Sequence, residues 1–259
     1  MQAVRAAMER LDLPSLIASR ASPERDRVVA LIAARLLAPH PKLATTRWWH
    51  TSTLAEEYGV VAADADDLYA AMDWLLERQS GIERKLAARH FSEGALALYD
   101  LSSSYFEGSH CPLGRIGYNR DRKKNKLQVN YGLLSTRAGC PIAVSVYPGN
   151  TADAKTLLPV VAQLRDAFGL ERLVLVGDRG MISHKAIGEL KTSEGLAWIT
   201  ALKSTQIRTL LESGALQLDL FDERNLFELS HPDYPGERLI ACRNPQLAKL
   251  RTYKRRVLL

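Results

Sequence analysis

The sequence predicts an α+β protein: a mixed sheet with flanking helices, preceded by a helical N-terminal domain. Three observations carry this. Residues 1–93 place apolar side chains on a helical period. Short alternating or wholly apolar runs, separated by Gly- and Pro-containing turns, begin near residue 94. Beyond residue 148, apolar runs alternate with helical stretches, as in strands joined by crossover helices. The expected divisions are 1–93 (helical), 94–202 (sheet core) and 203–259 (a weaker pattern of a helix, short strands and a basic helical end).

Arg27 to Leu37 (RVVALIAARLL) opens the helical part, and Pro39 and Pro41 end it. Thr51, Ser52 and Thr53 offer N-cap oxygens ahead of Glu56 and Glu57, and Gly59 suits the position after a helix. Asp64 to Arg78 is then amphipathic, with an acidic first turn that complements the helix dipole. Two helices meeting around Gly59 read either as a DNA-binding helix-turn-helix or as a plain bundle. The acidity of the second helix favours the bundle, and Trp48 and Trp49 read as core.

Residues 95–101 (ALALYDL) form an apolar strand, 126–134 (KLQVNYGLL) an alternating one, and 142–147 (IAVSVY) a third after the turn RAGCP. Residues 148–169 read as one helix, with Asp153 near its start and Gly169 at its end. RLVLVG is of the buried, parallel-strand type. A short helix (SHKAIGEL) and a strand (LAWIT) complete a β-β-β-α-β-α-β order.

The 259 residues are 46% apolar and 25% charged, which excludes wholesale disorder, collagen-like repeats and a coiled-coil rod. Lys and Arg number 35 against 29 Asp and Glu, a balance compatible with a polyanionic partner. Three widely spaced cysteines form no CxxC pair, so no zinc ribbon or redox dithiol is expected. No apolar run spans a bilayer, and the start has no apolar signal core; the expected compartment is the cytoplasm, with no membrane partner.

Two acids stand out by position. Asp100 ends the run ALALYD and Asp178 ends RLVLVGD. Ligands bind at the carboxyl ends of strands in sheets of this kind. On neighbouring parallel strands the two carboxylates would stand close together and repel unless they share a proton or a cation. Oxygen ligands suit Mg²⁺ or Mn²⁺. For either residue alone, a turn cap is the plainer reading; for the pair, metal binding is favoured. A haloacid-dehalogenase-like phosphatase needs a second acid two residues after the first, and Ser102 stands there.

Between these acids, Arg120, Arg122, Lys123, Lys124 and Lys126 fall within seven residues. The stretch suits a phosphate backbone or a solvated hairpin. Arg179, next to Asp178, suits phosphate or a nearby acid. His184, Asn150 and Thr151 read as helix surface and turn. Asp153 reads as a supporting acid or a simple helix-start acid.

The ordered set YDLSSSYFEG, GYNRDRKKNKLQVNYGLL, YPGNTADAKTL and VGDRGMIS resembles the insertion-sequence transposases of the DDE class, the branch with a β-rich insertion. The resemblance implies an RNase H-like core in which three carboxylates hold two divalent metals for strand cleavage and transfer on double-stranded DNA at transposon ends, with self-association. It maps the first two carboxylates onto Asp100 and Asp178.

The family's third acid, a Glu on a helix that also carries Tyr, Arg and Lys, has no counterpart in this sequence. The expectation is therefore a truncated copy, with 203–259 as part of the insertion and apolar sheet surface left bare. Two alternatives stand beside it. One is a non-catalytic fragment that binds DNA or inhibits a transposase. The other is a stand-alone nuclease using Glu212, 34 residues after Asp178.

Overall fold

The computed structural model describes residues 1–118, 125–182, 184–217, 223 and 225–258, without the side chains of residues 184, 255, 257 and 258. Met1–Ile199 forms one compact unit and Thr200–Leu259 a second.

The first unit opens with seven helices: α1 (Gln2–Arg10), α2 (Leu13–Ile17), α3 (Pro23–Leu37), α4 (Lys42–Trp49), α5 (Leu54–Glu57), α6 (Ala65–Leu76) and α7 (Gln79–His90). Ser22 caps α3 through the Arg25 amide, and Pro23 supplies a pre-set φ at its first position. Asp64 and Asp67 form a reciprocal capping box at the start of α6. Gly59 takes φ +68° after α5, the left-handed conformation expected there. Helix α4 has no separate signature in the sequence. It packs Trp49, fully buried, against Val28, Val29, Leu54 and Leu68 in one apolar cluster. Among the described residues no single helix is long and apolar enough to cross a membrane; α3 and α4 pass that test only jointly and bend by 90° between them.

Five strands form the sheet: β1 (Ala95–Phe106), β2 (Leu127–Thr136), β3 (Pro141–Pro148), β4 (Leu173–Val176) and β5 (Leu196–Ile199). Their order is β3-β2-β1-β4-β5. The first three are antiparallel neighbours, while β4 runs parallel to both β1 and β5. This is the RNase H-like arrangement that the resemblance implies. Two details differ from the sequence-based expectation. Strand β1 does not end at Asp100 but runs on to Phe106, because β2 supplies partners as far as Phe106↔Leu127. Residues 148–169 are not one helix. A 3-10 turn at Asp153–Lys155 leads into α8 (Leu157–Ala162), and a π-helical turn follows over Gln163–Ala167. The Thr156 hydroxyl donates to the Asp153 carbonyl at 2.7 Å and closes the first turn. Gly169 ends the segment at φ +70°.

One sheet face is packed. Ala97, Tyr99, Leu101, Leu134, Leu173 and Leu175 meet Leu157, Val160 and Leu164 of the α8 segment. Helix α9 (His184–Lys191) adds Ala186 and Leu190. Gly132 is required in β2, because an added Cβ there would strike the Tyr99 hydroxyl and ring. The register sets Leu98, Asp100, Leu133, Val144, Val146 and Val176 on the opposite face. That face is open: Leu133, Val144 and Val146 are 44%, 42% and 54% exposed.

Helix α7 ties the helices to the sheet. Its buried Glu83 accepts hydrogen bonds from the Val144 amide of β3, from Gln79 and from Gln163. Lys85 and Arg89 donate to the carbonyls of Leu16 and Leu11.

The second unit holds α10 (Ser204–Glu212), the hairpin β6 (Leu226–Leu229) and β7 (Leu239–Cys242), and α11 (Pro245–Leu258). Arg238 and Glu228 pair across the hairpin, with Nη2 to Oε2 at 2.7 Å. The Asn244 side chain accepts the Leu247 amide at 2.9 Å and caps α11.

Candidate active site

Asp100 stands in β1, and Asp178 follows β4, its parallel neighbour in the sheet. The last parallel pair between β1 and β4 is Leu98↔Val176. Both acids lie two residues beyond it, Asp100 still within β1 and Asp178 just past the end of β4. Both are exposed. Asp100 accepts its neighbour's amide, Leu101 N, at 2.9 Å, and sits opposite Leu133 on the open face.

Asp178 leaves β4 into a tight turn. Its Oδ1 accepts the amides of Gly180 and Met181 at 2.9 and 2.8 Å. The carboxylate orientation is therefore fixed by backbone, and Met181 and Ile182 anchor the turn as buried residues. The turn-cap reading and the exposed acid coexist: one oxygen caps the turn. The other, Oδ2, has no hydrogen bond among the described residues. Arg179 is exposed on the same turn.

A third acid comes near this turn. A Cβ built on Gly180 would meet Asp178 Oδ1 at 3.3 Å and Asp153 Oδ2 at 3.8 Å. Asp153 starts the 3-10 turn after β3. With its neighbours Asn150, Thr151 and Ala152 it lines a cavity of about 190 Å³ that Tyr118 and Asn130 complete. Two buried amides fix that wall. Gln128 Nε2 donates to the Gly149 carbonyl at 2.7 Å, and Asn130 Nδ2 to the Thr151 carbonyl at 3.0 Å. Sequence reasoning missed this pair. Its only signal is two amides at alternate positions of LQVNYG, a spacing that sends both to one face.

Behind the acids, Tyr99 is buried beneath the sheet, and burial pushes its hydroxyl pKa up. It donates to the Tyr147 hydroxyl at 3.4 Å.

The basic candidates divide. Arg120, Arg122, Lys123 and Lys124 lie outside the described residues, as does the His184 side chain. Lys126 is described, just before β2, with Glu107 at 3.7 Å. Glu212 is the exposed last residue of α10, in the second unit. Among the described residues no three His, Cys, Asp or Glu side chains gather as a metal-ligand set.

A sheet of this order, with one acid in β1 and another just past its parallel neighbour β4, defines an RNase H-like fold with a candidate metal edge. Residues 108–254 match the transposase DDE domain family, and the chain belongs to that family. Asp178 lies inside the matched span and Asp100 just ahead of it. No curated protein matches the sequence. Some solved structures are distantly similar to the chain. A piggyBac transposase synaptic complex with hairpin DNA is 14% identical with a TM-score of 0.47, over 86% of this chain and 53% of that one. A Mos1 transposase paired-end complex with the left transposon end is 12% identical with a TM-score of 0.29, over 76% and 66%. A Mos1 mariner paired-end complex with Mn is 12% identical with a TM-score of 0.29, over 81% and 85%. The chain spans about half the length of the piggyBac chain it matches.

Proposed function

We propose that this chain carries the core of a DNA transposase that cleaves and transfers DNA strands, with Asp100 and Asp178 holding divalent metal. The observation that supports it is the β1–β4 register, which sets the two acids at equivalent positions beyond Leu98↔Val176. Carboxylate oxygens are the donors that Mg²⁺ and Mn²⁺ prefer. When bound, such ions supply Lewis-acid stabilisation of the attacking and leaving oxygens of a phosphodiester. The protein's own part is positional. The Gly180 and Met181 amides hold Asp178, so that its second oxygen is available to a ligand. Lys126 and Arg179, with the cations at 120–124, would grip the phosphate backbone of double-stranded DNA at transposon ends. Self-association, which brings two ends together, and a cytoplasmic site of action belong to the same reading. So do three domains over 1–93, 94–202 and 203–259.

The test is calorimetric titration of Mn²⁺ into the wild-type chain and into Asp100→Asn/Asp178→Asn. Binding in the wild type that vanishes in the folded double variant is expected. Binding retained by the double variant, or none in the wild type, overturns the assignment.

A further inference from the structure

A cleft of about 520 Å³ lies among the helices, where the chain from α2 to α3 passes the junction of α6 and α7. Its walls carry Arg20, Arg78, Arg84 and Lys85 against Glu24 and Glu77. Residues 1–93 hold 12 Lys and Arg against 13 Asp and Glu, so these cations are a local concentration and not part of a basic surface.

The acids offer the cleft little. The Glu24 carboxylate is drawn to the start of its own helix, where the Glu24 amide and the Ser22 hydroxyl hold its pKa down. Glu77 is paired with Arg78 at 3.5 Å, and the Arg78 guanidinium lies over the Trp74 ring at 3.9 Å. Lys85 is committed to the wall itself, donating to the carbonyls of Ser15 and Leu16. Two guanidiniums remain. Arg20 has no hydrogen-bond or ion-pair partner among the described residues. Arg84 uses only its Nε, on the Ser80 carbonyl at 3.3 Å, which leaves both terminal nitrogens. Ser80 and Gly81, in the first turn of the 12-residue α7, also line the cleft, and nothing lies within 4 Å of a Cβ built on Gly81. Arginine forks beside the positive end of a helix match a phosphate group.

We propose that this cleft binds a backbone phosphate of double-stranded DNA through Arg20 and Arg84. The inference rests on the reading of the chain as a DNA-acting protein and gives its helical part a specific contact. Helix α7 makes the contact consequential: it lines the cleft with its first turn and holds the β3 edge with Glu83. DNA seated there would be held in fixed relation to the sheet.

The experiment measures binding of a random-sequence DNA duplex to the full chain, by fluorescence anisotropy across a salt series. Removing one cation that neutralises a phosphate lowers the slope of log K against log salt by about 0.9. Because Arg20 and Arg84 share one phosphate, Arg20→Ala/Arg84→Ala should flatten the slope by about 0.9, while Arg10→Ala, outside the cleft, leaves it unchanged. An unchanged slope in the folded double variant overturns the cleft and leaves DNA binding standing. No duplex binding by the wild type removes the DNA reading itself. A parallel titration with inorganic phosphate separates the sources: saturable phosphate binding that the variant abolishes, with no change in duplex slope, assigns the cleft to free phosphate and overturns the proposal.

Discussion

Glu83 of α7 accepts the backbone N–H of Val144 in β3 at 3.1 Å. Because β3 is an edge strand, that amide would otherwise face water or another strand. The same carboxylate takes Gln79 at 2.8 Å and Gln163 at 2.9 Å. One buried acid thus joins the last N-terminal helix, the sheet edge and the segment after α8.

Replacing it should loosen all three. Glu83→Ala leaves a strand amide and two side-chain amides without their acceptor, a loss of about 1–3 kcal/mol. Thermal unfolding should show a lower Tm, and Glu83→Gln, which keeps one acceptor oxygen, should lose less. A Tm indistinguishable from wild type for the alanine variant would contradict this joint.

Gly180 sits between two carboxylates. A methyl group there meets Asp178 Oδ1 at 3.3 Å, tighter than most contacts of its kind, and Asp153 Oδ2 at 3.8 Å. Gly180→Ala should weaken Mn²⁺ binding several-fold by pushing Asp178 off its turn amides, with little change in unfolding temperature. Equal affinity in calorimetry would mean that the turn does not orient the acid.

The Tyr99 ring lies over Gly132, so Gly132→Ala overpacks the core and should cost about 1–3 kcal/mol. Denaturant unfolding checks it. Combined with Tyr99→Leu, which removes the obstructing ring, the cost should be less than the sum of the two single changes. Strict additivity would show that the contact is not the cause.

Burial raises the Tyr99 pKa. The fold therefore favours the neutral phenol. Its contribution to stability is complete below the unfolded value of about 10 and is lost as pH rises through the folded value. The denaturation midpoint should begin to fall above about pH 10, and Tyr99→Phe should flatten that fall. Identical pH profiles for the two proteins would exclude Tyr99 as the source.

Much of this was legible in the sequence because burial leaves a pattern. LVLV reads as a buried strand, and it pairs on both sides, with β1 and β5. Asp64 and Gly59 are legible because cap chemistry is local. The second half of β1 was not, because Ser102–Ser104 carry no strand signal of their own and pairing with β2 decides their state. The two acids stood out as charges after apolar runs. Their side-by-side placement depends on strand order, which is a long-range property. Glu83, Gln128 and Asn130 stayed hidden for the opposite reason. A polar residue in a helix or strand reads as solvent-facing, and only tertiary partners make its burial tolerable.

The two oxygens of Asp178 are not equivalent: Oδ1 belongs to the amides of Gly180 and Met181. An asparagine at that position must aim its one carbonyl oxygen at those amides to keep the turn. Its NH₂ group then points where Oδ2 was, presenting hydrogens in place of a lone pair. The change Asp178→Asn is thus an inversion rather than a neutral copy: the new side chain repels a cation that the Asp178→Ala variant merely fails to attract.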